Sequence, residues 1–226
     1  MNVIELNNVK KDYPLGKTTV YAIRGIELSV KKGDFISIVG PSGSGKTTLL
    51  NLIGCIDLAT SGVVKINNKD VTTMSDKELT LLRLNTIGFI FQTFNLIPVL
   101  SALENVEFPL LLMKGKNRMS KKEVISRATH LLEEVGLKDQ LEQKPYELSG
   151  GQRQRVAIAR ALVTKPDIVL ADEPTANLDS ETGAKILSLM KMENEHEETT
   201  FIFSTHDPEI LKYADSIVKI KDGVIA

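Results

Sequence analysis

The sequence contains only one cysteine, Cys55, among its 226 residues. A single thiol cannot form an intramolecular disulfide, so a small disulfide-stapled fold is excluded and a reducing compartment is favoured. Unpaired cysteines are among the residues most often found in protein interiors, and we therefore expect Cys55 to be a small apolar residue of the core.

The sequence also lacks an excess of charge of either sign. Lys and Arg number 28 against 29 Asp and Glu, which leaves a formal net charge of −1. A protein that grips nucleic acid along the phosphate backbone normally carries a basic excess. The balance therefore argues against nucleic acid as a partner, although it leaves room for a local basic patch.

No long hydrophobic run is present. A membrane-spanning helix needs about 20 consecutive apolar residues, and the most apolar stretch, residues 96–113, is interrupted by five residues: Pro98, Glu104, Asn105, Glu107 and Pro109. The first five residues have neither a basic start nor an apolar core, so no signal peptide is predicted. If this protein serves a membrane, we expect it to do so through a partner.

The remaining composition, 42% hydrophobic and 25% charged, is typical of one compact domain with a large core. Strands are predicted at residues 3–6, 21–30, 35–39, 63–66, 167–171 and 199–204, and helices at 47–56, 119–135, 156–163 and 180–192. This alternation predicts an α/β fold with a mostly parallel sheet. The sequence pattern of residues 95–147, which include the predicted helix 119–135, indicates a helical lobe inserted into that core. The acidic stretch 193–198 predicts a solvated linker, because neighbouring like charges favour water.

A glycine-rich phosphate-binding loop lies between the third strand and the first helix. It fits G-x-x-x-x-G-K-[ST] and consists of Gly40, Pro41, Ser42, Gly43, Ser44, Gly45, Lys46 and Thr47. The glycines let backbone N–H groups turn inward onto phosphate oxygens, and the helix N-terminus adds positive potential. Lys46 supplies a charge for the outer phosphates and Thr47 a hydroxyl for Mg²⁺, and we include Thr48 in the predicted ATP site.

An acidic pair, Asp172 and Glu173, follows the apolar run of residues 168–171. A buried strand that ends in a carboxylate places it at the edge of the sheet where ligands of open α/β folds bind. Asp172 is therefore predicted to hold Mg²⁺. Glu173, pointing differently, can polarise an attacking water.

A second anion site is predicted far along the chain, at residues 148–155. The string Leu148-Ser149-Gly150-Gly151-Gln152-Arg153-Gln154-Arg155 starts a helix with a serine cap followed by free backbone amides. The same string matches the signature motif LSGGQ-x-QR, and on it the chain resembles the ATPase subunits of ABC transporters.

The resemblance extends in order over nearly the whole chain and implies further roles. Tyr13 resembles the aromatic residue that stacks on adenine. Gln92 resembles the glutamine that touches Mg²⁺ and the attacking water and links to the membrane partner. His206 resembles the histidine that senses the γ-phosphate, so that Glu173, His206 and Gln92 form the implied catalytic set. His130 and His196 receive no role.

The resemblance also implies that the working unit is a homodimer. Ser149, Gly150, Gly151 and Gln152, together with Asp179, would contact the ATP held by the partner subunit. Residues 176–179 read Ala-Asn-Leu-Asp, in which Asn177 replaces the usual alanine. The implied fold is a P-loop NTPase core over 1–94 and 148–226, with an antiparallel β subdomain at its N-terminal end and a helical subdomain over about 95–147, all within a single domain of residues 1–226.

Within the family, residues 87–98, 102–110 and 51–57 resemble the MacB/LolD/FtsE branch. The branch implies a cytoplasmic ATPase, peripheral on the inner face of the membrane, that drives integral membrane subunits in export or lipoprotein release.

One alternative is a soluble ABC ATPase of DNA repair or translation. Those proteins generally carry a long coiled-coil insert or two cassettes, whereas this sequence contains no heptad run. Another alternative is a P-loop enzyme that phosphorylates a small molecule. Such an enzyme would not require the signature motif, so residues 148–152 argue against it.

Overall fold

The computed structural model describes the backbone of residues 1–226 and the side chains of all of them except 116, 208 and 209. The strands are β1 (Asn2–Leu15), β2 (Thr18–Lys31), β3 (Phe35–Val39), β4 (Ser61–Ile66), β5 (Lys69–Asp70), β6 (Ile87–Ile90), β7 (Ile168–Asp172), β8 (Thr200–Ser204), β9 (Ser216–Lys221) and β10 (Val224–Ile225). The α-helices are α1 (Lys46–Ile53), α2 (Asp76–Thr86), α3 (Ala102–Leu112), α4 (Lys121–Glu134), α5 (Gly150–Leu162), α6 (Ser180–Glu197) and α7 (Pro208–Tyr213).

The strands form two sheets of different character. A six-stranded sheet has the order β10-β9-β3-β8-β7-β6 and is parallel except for the β9–β10 pair. A four-stranded sheet has the order β2-β1-β4-β5 and is antiparallel throughout. The predicted α/β class, with a mostly parallel sheet and an antiparallel β subdomain, is confirmed.

Successive side chains of the parallel strands enter two different cores, because neighbouring residues of a strand point to opposite faces of a sheet. In β7, Ile168 and Leu170 pack with the antiparallel sheet and α1, whereas Val169 and Ala171 pack with α3, α4, α5 and α6. Strand β8 alternates in the same way. Near-continuous apolar strands of this kind are expected where both faces of a parallel sheet are covered.

Helices α3 and α4 lie within the segment predicted to be a helical lobe. Each begins with a capping box, in which Ser101 pairs with Glu104 and Ser120 with Glu123. The S-x-x-E spacing of residues 120–123 is the local sequence pattern of such a box. A third box, at Ser75 and Glu78, opens α2, a helix that the sequence analysis did not assign.

The predicted linker over 193–198 is wrong, because α6 continues to Glu197. Asn194, in the middle of this acidic stretch, is buried, and its amide donates to the carbonyls of Gly33 and Thr199. One anchored residue thus holds the last turn against the sheet despite the charges around it, and His196 is helical. The predicted helix 47–56 ends earlier, at Ile53, where Gly54 caps it and Cys55 has a φ of 54°.

Cys55 is buried, as predicted. Throughout the part of the chain that the structure describes, no helix combines the length and apolar character needed to cross a membrane.

Candidate functional site

The loop between β3 and α1 leaves no room for side chains at its ends. A Cβ added to Gly40 would lie 2.1 Å from the carbonyl oxygen of Ile220, and one added to Gly45 would lie 2.7 Å from that of Ala22. Gly43 and Gly45 have φ values of 76° and 106°, which L-residues with side chains rarely adopt. Lack of space therefore requires glycine at position 40, backbone conformation favours it at position 43, and both apply at Gly45.

The polar groups of this loop are of the kind that binds phosphate. The ammonium of Lys46 donates to the carbonyl oxygens of Gly40 (2.8 Å) and Pro41 (3.0 Å). Within the part of the chain that the structure describes, the hydroxyl oxygens of Ser44 and of Ser204, at the end of β8, are buried without a protein partner. Buried hydroxyls of this kind generally bind water or a ligand, and Ser204 lines the same cleft as the loop, so the site fits a polyphosphate.

A metal site is supported where the loop meets β7. The hydroxyl of Thr47 donates to Asp172 Oδ2 at 2.9 Å, across 125 residues of sequence. A hydroxyl, one carboxylate and substrate phosphates form the ligand set that Mg²⁺ prefers, and Mg²⁺ bound here would neutralise charge on the phosphate oxygens. Thr47 and Asp172 therefore fit Mg²⁺ as ligands. Gln92, the third residue predicted to bind the ion, lines the same cleft.

Glu173 is held in place from three sides. Its φ is 48°, its N–H donates to the carbonyl of Ser204 (2.8 Å), and its side chain is only 15% exposed. Thr205 Oγ1 donates to Glu173 Oε2 (2.9 Å), and His206 Nδ1 lies 2.7 Å from Glu173 Oε1. Strands β7 and β8 are neighbours in the sheet, so their C-terminal ends bring the acidic residue and the histidine together.

These groups line one cleft of about 890 Å³. The predicted site residues among its lining are Tyr13, Gly40, Ser42, Gly43, Gly45, Lys46, Thr47, Thr48, Gln92, Asp172, Glu173 and His206. Pro41 and Ser44 belong to the same loop but contribute no lining surface. Residues separated by up to about 190 positions thus converge on a space large enough for a nucleotide, within the usual range for ligand clefts.

The sequence analysis missed one wall of this cleft, formed by residues 19–22 and 24 of β2 and the turn at Asp222 and Gly223. Gly223 N–H donates to the carbonyl of Ser44 (3.0 Å), and Arg24 N–H donates to that of Gly223 (2.8 Å). The turn therefore joins the phosphate loop to the antiparallel sheet. The Asp-Gly dipeptide, with φ values of 50° and 79°, was a detectable turn signal.

The serine-capped helix lies outside that cleft. Gln152 N–H donates to Ser149 Oγ (3.2 Å), and Ser149 N–H donates to Gln152 Oε1 (2.7 Å), so both residues form the capping box of α5. A Cβ on Gly151 would lie 3.1 Å from the carbonyl of Asn177, whereas one on Gly150 would meet nothing within 4 Å. The two helix N-termini predicted to bind anions, those of α1 and α5, therefore lie at separate places in the chain.

Asp179 lies near this second helix end and caps α6. Its Oδ1 accepts a hydrogen bond from Thr182 N–H at 2.9 Å. The hydrogen bonds from the backbone and the side chain of Thr182 lower the pKa of this carboxyl below its ordinary value. Asp179 is thus a charged cap beside the segment that packs on Gly151, and it does not line the cleft of Glu173.

Arg160 connects α5 to the loop that follows Gln92, a link that sequence reasoning did not identify. Its guanidinium donates to the carbonyls of Asn95 (2.5 Å) and Phe94 (2.7 Å), two residues with positive φ. Burial lowers the pKa of Arg160 to about 10, which leaves the group charged near neutral pH. Arg153, on the same helix, places its guanidinium carbon 5.2 Å from the centre of the Phe94 ring.

Removing the Thr205 hydroxyl should impair chemistry more than binding. Thr205 is 1% exposed, and because its oxygen accepts a hydrogen bond from Asp207 N–H (3.0 Å), its proton is free to point at Glu173. We expect Thr205→Val to lower kcat for ATP on the order of tenfold, the size of one hydrogen bond to a charged group, with little change in KM. Thr205→Ser, which restores the donor, should recover most of kcat in steady-state assays; a serine variant as slow as valine would contradict the assignment.

Comparison with known proteins places this arrangement in a family. The sequence pattern of the family described as ABC transporter matches residues 23–176. The "Uncharacterized ABC transporter ATP-binding protein MJ0796" of Methanocaldococcus jannaschii is 49% identical over 224 residues, covering 99% of this chain and 95% of that protein. The macrolide export ATP-binding/permease protein MacB of Syntrophobacter fumaroxidans is 47% identical over 225 residues, which cover 100% of this chain and 31% of that protein.

A solved structure agrees with the sequence matches. The dimeric structure of the ATP-binding cassette MJ0796, in a post-hydrolysis state bound to ADP and Pi, superposes with a TM-score of 0.94 at 48% identity, covering 98% of this chain and 96% of that one. Fold, site and sequence therefore agree that the chain belongs to the ABC transporter family and is an ATP-binding ATPase.

Proposed function

We propose that two copies of this chain close face to face around two MgATP molecules and that the closing and opening of this dimer drives a membrane partner. The observation that carries the proposal is the separation of the two anion-binding helix ends within one chain. The phosphate loop, Asp172 and Glu173 line one cleft, whereas Ser149 and Gly151 lie outside it. A second copy related by two-fold symmetry would bring the missing helix end to each cleft, and the dimeric MJ0796 structure supports this arrangement.

In the proposed mechanism, each group of the cleft has one task. Lys46 and the loop amides would hold the phosphates, while Thr47, Asp172 and Gln92 would hold Mg²⁺, which would neutralise charge on the phosphate oxygens. Glu173 orients and deprotonates the attacking water, since its carboxylate is fixed by Thr205 and His206. From the partner, Ser149, Gly150, Gly151, Gln152 and Asp179 face the same γ-phosphate, so ATP favours the closed dimer and release of phosphate favours the open one.

We further propose that a membrane subunit docks in a groove of about 220 Å³ beside the Gln92 loop. Its lining is mostly apolar and includes Leu84, Phe89, Phe91 and Pro109. Arg160 lines the same groove while holding the loop after Gln92. A helix pressed into this groove would therefore touch residues connected both to the Mg²⁺ site and to the signature helix α5.

On this proposal, residues 95–147 act as a helical subdomain that carries α3 and α4 beside the docking groove, and residues 1–94 and 148–226 act as the ATP-binding core. The protein would work as a cytoplasmic subunit, peripheral on the inner face of the membrane. Similarity to the MacB protein of Syntrophobacter fumaroxidans supports export as the driven process. Lipoprotein release is the second candidate, because residues 87–98 and 102–110 resemble the MacB/LolD/FtsE branch as a whole, although the stretch after Gln92 follows the MacB pattern more closely.

A groove variant with a matched control tests the docking proposal. Leu84 lines the groove, whereas Leu81, three residues earlier on α2, is 45% exposed and does not line it. We expect the membrane subunit purified with this chain to stimulate its ATPase activity, and Leu84→Asp to lower the ratio of stimulated to unstimulated rate about tenfold, because a buried carboxylate opposes docking. Leu81→Asp should retain the ratio. Stimulation by DNA or ribosomes in place of the membrane subunit would support the soluble alternative and overturn the proposal.

A further inference from the structure

We propose that Asp57 and Lys11 are positioning residues that hold the ring of Tyr13 as a platform for the nucleotide base. The inference rests on the proposed function and on the expected stacking of Tyr13 against adenine, and it extends that role to two residues that do not line the cleft. Tyr13 Oη donates to Asp57 Oδ2 at 2.6 Å, a contact between strand β1 and the segment that follows α1. The ring position is therefore set from outside the cleft.

The carboxylate that receives this hydrogen bond is itself fixed. Asp57 Oδ1 accepts from the ammonium of Lys11 (2.6 Å) and from Leu58 N–H (2.8 Å), and the Lys11 ammonium also donates to the Leu58 carbonyl (2.8 Å). Burial acts to raise the pKa of Asp57, but the hydrogen bonds from Lys11, Tyr13 and Leu58 outweigh it and the pKa is lowered. Asp57 therefore stays an acceptor for the tyrosine at neutral pH.

The two faces of the tyrosine ring differ in their surroundings. The Lys11 ammonium lies 4.9 Å from the ring centre, within the range of a cation–π contact, and its side chain is only 13% exposed. Tyr13 lines the nucleotide cleft, and Lys11 does not. One face is thus covered from behind, and the cleft side is left for a flat aromatic ligand such as a purine.

The hydroxyl end of the ring is equally constrained. Burial, and then the hydrogen bond to Asp57, raise the pKa of Tyr13 to about 12, so the phenol remains a donor at all physiological pH values. With its hydroxyl held and one face covered, the ring loses little further freedom when a base stacks on it. Preorganisation of this kind increases affinity without adding a contact to the ligand.

Asp57 is placed by the end of the helix that begins at the phosphate loop. Gly54 caps α1, Cys55 reverses the chain with a φ of 54°, and the N–H groups of Ile56 and Asp57 both donate to the carbonyl of Asn51. The platform for the base and the cradle for the phosphates are therefore connected to opposite ends of α1. This geometry sets the distance between the two parts of one nucleotide.

The test compares ATP with inorganic tripolyphosphate, which carries the phosphates but no base. We expect Asp57→Ala to raise KM for ATP on the order of tenfold, a part of the stacking energy of one base, with kcat within about twofold of wild type. Inhibition by tripolyphosphate should keep its wild-type Ki. Tyr13→Phe, which removes only the hydroxyl, should reproduce the rise in KM, and Asp57→Ala should add nothing in a Tyr13→Ala background.

Each alternative outcome overturns a distinct step. An equal loss of ATP and tripolyphosphate affinity in Asp57→Ala would show that Asp57 supports the phosphate loop and not the ring. If KM for ATP were unchanged in Asp57→Ala and Tyr13→Phe but raised in Tyr13→Ala, the ring would still be a platform for the base. The proposed positioning role of Asp57 would then be wrong. An unchanged KM in Tyr13→Ala would overturn the platform itself. Glu198→Ala, which breaks the exposed pair with Lys32, is the control for general loss of an ion pair.

Discussion

Replacement of Glu173 by Gln is expected to lower the rate of ATP turnover by about 10²–10⁴-fold, the usual contribution of a general base. The amide keeps the size of the side chain and can still meet Thr205, which donates to Oε2, but it cannot accept a proton from water. Nucleotide binding, which we propose to depend on the phosphate loop and Asp172, should persist. The variant should therefore accumulate as an ATP-bound dimer.

Two measurements check this result together. Steady-state hydrolysis should fall, while size-exclusion chromatography with ATP should show a dimer that disappears when the nucleotide is removed. Glu181→Gln is the matched control, because Glu181 is an exposed residue of α6 that pairs only with Lys185 in the part of the chain described. Hydrolysis of ATP by Glu173→Gln at the wild-type rate would contradict the assignment of the base.

Replacement of Ser149 by Asp is expected to abolish the ATP-driven dimer and to lower ATPase activity by about 100-fold, as a carboxylate facing the γ-phosphate of the partner subunit would repel it. Aspartate caps helices about as well as serine, so α5 should start as before. Ser120 heads the corresponding capping box of α4. Ser120→Asp therefore changes the same type of cap without facing a nucleotide, and it should keep wild-type activity.

Mixing two inactive variants distinguishes a shared site from a site within one chain. Lys46→Ala removes the phosphate charge from one cleft, and Ser149→Asp spoils the helix end offered to the other chain. In a mixed dimer one composite site is intact, so an equimolar mixture should recover up to about a quarter of wild-type activity if dimers form at random. If the equimolar mixture recovered no ATPase activity and formed no ATP-dependent dimer, that result would argue against pairing through Ser149.

The chemistry of the phosphate loop could be predicted from the sequence because its residues are contiguous. Gly43, Gly45, Lys46 and Thr47 lie within one turn between a strand and a helix, and local backbone geometry brings them together. Asp172 and Glu173 were predictable for a similar reason, since a buried strand must end at the ligand-binding edge of a parallel sheet. The capping boxes at Ser120 and Ser149 were likewise visible as short-range patterns.

Other features depended on contacts between distant residues. The acidic stretch 193–198 suggested a linker, but Asn194 anchors it to Gly33 and Thr199, and α6 continues through it. Arg160 lies in a stretch for which the sequence predicted only a helix, whereas its contacts with Phe94 and Asn95 place it on the loop after Gln92. Tertiary contacts of this kind override local propensity and charge pattern.

By itself the sequence determined the nucleotide chemistry of this protein, its α/β class and its family, because each depends on short motifs whose spacing is a local property of the chain. Only the tertiary structure decided which groups share a cleft. It placed Glu173 against Thr205 and His206, it placed Tyr13 on Asp57, and it left Ser149 outside. Those relations follow from the order of strands in the sheet and from the packing of helices on its two faces, which no local pattern specifies.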